Sequence, residues 1–189
     1  MQRGHINPGA SEQAWAVYPD IGNLARWSVS SWKYGFGLEC LRDNNPDTFW
    51  HSEGNQPHSI TLEFPKRVAV QKIIVHLDQK KDDSYTPEII GIRAGTSLRD
   101  LQDVRQVNFD KPSGWVAFDV TNDLAEDGQT FKPLYAYVVQ LVIISNYMNG
   151  KDTHIRGLKI VGPLEEPLLD DTEVFPFVSP EFKMYETIR

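Results

Sequence analysis

An antiparallel β-sandwich, of which a jelly roll is one form, is the fold class the sequence predicts. Seven or eight short segments are rich in β-branched and aromatic residues. They are separated by turn clusters of Gly, Pro, Asn and Asp, and only one or two stretches favour a helical turn. Short alternating strands at that spacing, with little helix to cover a parallel sheet, close into a sandwich or barrel. A chain of 189 residues that is 40% hydrophobic and 24% charged can bury one sizeable core and is too short for two.

Residues 1–22 show no period and read as a loosely ordered arm, even with Trp15, Val17 and Tyr18 among them. The domain is expected over 23–163. Its first part, 26–58, sets Trp27, Trp32, Tyr34, Phe36, Phe49 and Trp50 among glycines and turn formers, which suits a compact aromatic-lined loop region. One helical turn is expected at 38–41, ended by Asp43, Asn44, Asn45 and Pro46. Ile60, Leu62 and Phe64 alternate with Ser59, Thr61 and Glu63, as a half-buried strand requires. A turn at Pro65, Lys66 and Arg67 then leads into a strand over 68–77, with Ile73, Val75 and Leu77 on one face and Ile74 and His76 on the other. A polar loop at 79–87 precedes a strand through Ile90 and Ile92, a turn at 97–101 and a strand near 104–109. Val116, Phe118 and Val120 mark another inward-facing set. Residues 134–144 are apolar on both faces and read as a central strand, and a last strand is expected over 155–161. No internal repeat is present, and residues 164–189 form an acidic, Pro-interrupted tail.

Charge and cysteine content narrow the setting. The net charge is −7, and residues 164–189 hold seven acidic groups against two basic ones. An acidic chain without a basic cluster is a poor match for nucleic acid or an anionic membrane, so neither is expected as a partner. The single cysteine, Cys40, fits a reducing compartment. No stretch reads as a signal peptide or approaches the ~20 apolar residues of a spanning helix, and a soluble intracellular protein is expected.

Asp43, Asn45 and Asp47 alternate like the first ligands of a calcium loop, but Thr48 and Gly54 stand where that loop needs Gly and Glu, so turn capping is the expectation and no metal or other cofactor is assigned. One cysteine and five scattered histidines give no zinc spacing. Asp152, His154 and Ser145 or Ser84 contain the residue types of a hydrolytic triad, yet Asp152 and His154 are two apart and cannot pair along a strand, and no nucleophile elbow is present. No catalytic residue is expected, and His154 reads as a surface hydrogen-bonding group. Cys40 reads as buried and structural, and Trp27, Trp50 and Trp115 as core.

A binding surface is the stronger reading. Two polar segments, 82–86 and 149–154, stand at strand ends, where sandwich loops gather into a composite surface. Lys151 and Asp152 bring opposite charges, Asn149 and Thr153 neutral donors and acceptors, and Tyr85 an apolar body with a polar tip. Such a rim suits a short peptide better than an apolar cofactor.

Several separated pieces, in order, resemble the DOC-domain family, the form carried as subunit ten of the anaphase-promoting complex. They are Tyr-Gly-Phe-Gly-Leu, Leu-Arg-Asp-Asn-Asn and Thr-Phe-Trp within 27–58, Ser84-Tyr85-Thr86-Pro87, Pro112-Ser113-Gly114-Trp115, Asn149-Gly150-Lys151-Asp152-Thr153-His154-Ile155-Arg156 and the terminal Ile188-Arg189. The resemblance implies a galactose-binding-type jelly roll without enzymatic activity. It implies a subunit of a ubiquitin ligase of the cell cycle, in the nucleus and cytoplasm, that shares a destruction-box receptor with a propeller coactivator. The degron-facing residues it implies are Ser84, Asn149, Gly150, Lys151, Asp152, Thr153 and His154. Ile188 and Arg189 would dock on a tetratricopeptide-repeat scaffold subunit among the other subunits of the complex. The alternative is a sugar-binding module of the same fold, with Trp32 or Tyr34 stacking on a sugar face.

Overall fold

A computed structural model describes residues 15–164. In chain order its strands are β1 (Arg26–Val29), β2 (Trp50–His51), β3 (His58–Val70), β4 (Lys72–Asp78) and β5 (Pro87–Gly95). They continue with β6 (Gln102–Asn108), β7 (Ser113–Asp119), β8 (Leu134–Asn146), β9 (His154–Ile155) and β10 (Gly157–Val161). A five-stranded sheet has the order β1-β3-β8-β5-β6, a three-stranded sheet the order β10-β4-β7, and β2 pairs with β9. Every pairing is antiparallel.

One core lies between the sheets. Ile60 and Leu62 of β3, Ile90 and Ile92 of β5, and Leu141 and Ile143 of β8 meet Ile73, Val75 and Leu77 of β4, Phe118 of β7, and Leu158 and Ile160 of β10. Each buried aliphatic side chain contributes about 1.5–3 kcal/mol relative to exposure, which is what holds two otherwise separate sheets together. The alternation predicted for Ile60, Leu62 and Phe64 is observed, and Thr61 between them is buried as well, accepting a bond from Gln140 Nε2 at 3.0 Å. β8 is the central strand expected from its two apolar faces, with Val138, Val139, Leu141, Val142 and Ile143 all buried. The expected helical turn is a 3-10 turn, Leu38–Leu41, that buries Cys40 and Leu41.

Two expectations are corrected. Pro65, Lys66 and Arg67 do not reverse the chain: β3 runs through them to Val70, with a register shift between Glu63 and Val68. Proline has no N–H to donate, and a bulge is a place where a strand tolerates that. The chain instead passes from one sheet to the other at Gln71, whose N–H donates to Val161 O at 2.8 Å, so the single strand expected over 68–77 is divided there between β3 and β4. The second correction concerns the arm. Trp15 is buried against Ile74 and Val161 on the outer face of the three-stranded sheet, with Tyr18, Trp115 and Ala117 around it. Lys159 Nζ lies 5.0 Å from the Trp15 ring and 4.9 Å from the Trp115 ring, adding a cation–π contact to that burial. Residues 15–22 are therefore part of the packed domain.

Candidate functional site

At one end of the sandwich the β8–β9 loop, the β4–β5 loop and the segment before β3 meet. The side chain of Asn146, buried at the end of β8, organises the first of these. Its Nδ2 donates to Gly150 O at 3.1 Å and Asp152 O at 2.9 Å, and its Oδ1 accepts from Thr153 Oγ1 at 3.1 Å. From the other side Gln56 Nε2 donates to Lys151 O at 2.9 Å, and fully buried His58 donates from Nε2 to the same oxygen at 2.9 Å. Ser52 Oγ takes the Thr153 N–H at 2.8 Å. The loop's carbonyl groups are thus satisfied from behind, and its backbone is fixed although it belongs to no sheet. Met148 and Asn149 at its tip both have positive φ, 54° and 57°, a conformation that turns the chain sharply outward.

The β4–β5 loop is pressed against it. Where a polar loop was expected, Gln79–Asp82 forms one helical turn capped by Asp78, whose carboxylate accepts from the N–H groups of Lys80 and Lys81, and Asp83–Tyr85 forms a 3-10 turn. Asp83 joins the two at φ 48° and ψ −118°, a region that costs a residue with a Cβ about 1–3 kcal/mol and is kept only when the surroundings enforce it. A Cβ on Gly150 would overlap the carbonyl of Ser84. Glycine is required there for space, and the contact brings the two predicted loops together.

Beneath the rim lies a buried polar array. Asp82 accepts two bonds from Arg156, at 2.7 Å from Nε and 2.7 Å from Nη2, and one from His154 Nδ1 at 3.0 Å. Burial alone pushes the Asp82 carboxyl up, but the bonds from His154 and Arg156 and the guanidinium charge outweigh it and hold the carboxyl below the usual range. Arg156 also donates from Nη1 to Pro46 O at 2.8 Å and lies over the Phe49 ring. The His154 ring is stacked between Phe49 and Tyr85, with centres 4.1 and 4.3 Å away, and its Nε2 faces His51 Nδ1 at 2.9 Å. Burial, followed by the neighbouring His154, pushes the His51 pKa down.

The predicted residues therefore divide. Asn149 and Lys151 are exposed, and Ser84, Gly150 and Asp152 are partly exposed at the rim. Thr153 and His154 are buried, so the reading of His154 as a surface group is corrected: its ring fills the space under the rim and holds the loop to Asp82. Asp152 does not orient His154, and the carboxylate that does comes from another loop. Among the described residues the array's hydrogen-bond partners include no Ser or Cys. Asp43 and Asn45 cap their own turn, accepting from the N–H groups of Asn45 and Asp47 at 2.9 and 3.0 Å. Cys40 is buried, and that burial, followed by Glu39 and Asp43, raises its thiol pKa and keeps it unreactive. Trp50 is fully buried, Trp27 packs at the core edge, and Trp115 packs with Trp15, while Trp32 and Tyr34 are exposed. Ile188 and Arg189 lie outside the described residues. The sequence marked Asn146 only as one polar group of the loop and Asp82 only as the start of the polar segment 82–86, and it did not mark His58 or His51. For Arg156 the signal was a cation inside an otherwise apolar strand-like run.

The model of the family described as anaphase-promoting complex, subunit 10, matches residues 4–187. A protein of Dictyostelium discoideum named anaphase-promoting complex subunit 10 is 43% identical over 171 residues, which are 90% of this chain and 86% of that relative. The Homo sapiens protein of the same name is 38% identical over 171 residues, 90% of this chain and 88% of the relative. Among solved structures, the CBM32-1 and CBM32-2 domains of Clostridium perfringens ZmpB in complex with GalNAc superimpose with a TM-score of 0.64 at 15% identity, covering 85% of this chain and 38% of that one. The family 32 carbohydrate-binding module of C. perfringens NanJ in complex with galactose gives 0.57 at 15% identity, covering 74% and 94%. At that identity the likeness carries the fold alone, a galactose-binding-type jelly roll.

Proposed function

This chain belongs to the anaphase-promoting complex subunit 10 family, and from that premise we propose that it is a non-catalytic substrate-recognition and processivity subunit of that ubiquitin ligase. It works in the nucleus and cytoplasm. Its rim holds an extended destruction-box segment together with a propeller coactivator, and Ile188 and Arg189 anchor it to a tetratricopeptide-repeat scaffold subunit.

The observation that carries this reading is the division of labour in the 149–152 loop. Its carbonyl groups are taken by Asn146, Gln56 and His58, while among the described residues no hydrogen bond or ion pair uses the side chains of exposed Asn149 and Lys151. Fixed backbone with unpaired polar side chains is a prepaid recognition surface, because little further ordering is needed when a ligand arrives. Thr153 and His154 support the rim from below, and Ser84 reaches it through its contact with Gly150. A destruction-box segment shared between two proteins needs only modest area on each, since the second contact forms at high effective concentration.

The test is reconstitution of the complex with two altered chains. Asn149→Ala, Lys151→Ala and Asp152→Ala together remove up to three contacts of about 0.5–1.5 kcal/mol each, so processivity on destruction-box substrates should fall about ten-fold with the fold intact. Undiminished processivity would remove the rim from the receptor. Deleting Ile188 and Arg189 should lower incorporation into the complex, and full incorporation of the shortened chain would remove the tail as anchor.

A further inference from the structure

A residue outside the predicted loops completes the rim; this inference rests on the reading of that rim as a peptide-binding surface. His51, at the end of β2, is half-buried, with the rings of Tyr85, Phe36 and Phe49 at 5.4, 6.2 and 6.4 Å. Its ladder partner is His154, two residues beyond Asp152.

The hydrogen-bond chain behind it settles which nitrogen carries the proton. The Asp82 carboxylate can only accept, so His154 donates to it from Nδ1. Arg156 already balances that carboxylate with two bonds, and a neutral His154 leaves the buried array without net charge. His154 Nε2 is then an acceptor, and the group 2.9 Å away, His51 Nδ1, must donate. The remaining nitrogen of His51, Nε2, keeps a free lone pair, and among the described residues no donor meets it. It stands beside the rings of Phe36, Phe49 and Tyr85, open to an incoming donor. Lys33, Glu53 and Asp152 are the charged groups around the ring.

We propose that His51 is a further ligand-contacting residue of the rim, accepting through Nε2 a hydrogen bond from a neutral N–H donor of the bound extended peptide, a main-chain amide or a carboxamide. A neutral imidazole offers no charge to hold an ammonium or guanidinium against water, so it selects an uncharged donor. Asp82 and His154 are positioning residues for this contact: they act by fixing the tautomer.

Two measurements test it. In the full chain, a proton–nitrogen correlation spectrum at neutral pH should find His51 protonated on Nδ1; protonation on Nε2 overturns the proposal. In the reconstituted complex, His51→Phe keeps a ring and removes the acceptor, and should raise the KM for a destruction-box substrate about five-fold, the worth of one neutral hydrogen bond. His51→Gln presents a carbonyl oxygen and should stay within about two-fold of the parent. An unchanged KM for His51→Phe while Asn149→Ala still raises it overturns the His51 contact and leaves the rim reading standing. An unchanged KM for both variants overturns both.

Discussion

Gly150 is the point at which the β4–β5 and β8–β9 loops touch. Its φ of −58° is open to any residue, so what glycine supplies is space: a Cβ would run into the carbonyl of Ser84. Gly150→Ala should displace the loop against its own anchors, Asn146 and Gln56, and cost about 1–3 kcal/mol in urea unfolding, as overpacking does elsewhere. Degron-dependent processivity should fall with it, although no ligand-facing side chain has been altered. Parental stability and processivity in this variant would mean that the loops do not depend on the close approach. The resemblance marked Ser84 and Gly150 for one surface, but the contact between them was not legible, because no local pattern records which distant backbone lies against a glycine. His154 shows the same limit. The residues before it, 149–153, are polar and predict exposure, whereas its partners Asp82, His51, Phe49 and Tyr85 come from elsewhere in the chain and bury it.

Among elements, the strands were legible where burial is one- or two-sided along a straight run, as at Ile60 and Leu62 in β3 and throughout β8. They were not legible where a bulge carries turn-like residues, as at Pro65, Lys66 and Arg67, or where an aperiodic segment docks by a single ring, as at Trp15. The polar contacts that tie β2, β9 and the β4–β5 loop together give these elements a common pH dependence. Burial, and then the charge of Arg156, lowers the pKa of His76, and burial lowers that of His51. A histidine with a lowered folded pKa resists a proton that the unfolded chain accepts. Its contribution is complete above the ordinary value of about 6.5 and is lost as pH falls through the folded value. Asp82, also lowered, contributes fully above about 3.9 and loses that contribution as pH falls through its own folded value. The thermal midpoint should be level from about pH 8 to 7, fall below about 6.5, and fall again below about 4. A midpoint that is flat or rising between about pH 6.5 and 5 would contradict the half-buried, neutral placement of these imidazoles.

Residues 15–164 form a scaffold of two main sheets with the candidate rim at one end. Aliphatic side chains between the sheets supply the stability, and the loop end spends some of it on positive-φ residues at Asp83, Met148 and Asn149 and on a buried ion pair. Breaking that pair from one side would leave a buried charge alone, which is why the support of the rim is as constrained as the core. The proposed role is that of a rigid polar surface for another protein's extended segment. The most direct measurement places a photo-cross-linking side chain at exposed Lys151 and illuminates the assembled complex with a destruction-box substrate and coactivator. Cross-links from position 151 to the substrate, abolished by excess free destruction-box peptide, are the predicted result. Efficient ubiquitination without any peptide-sensitive cross-link from that position would contradict it.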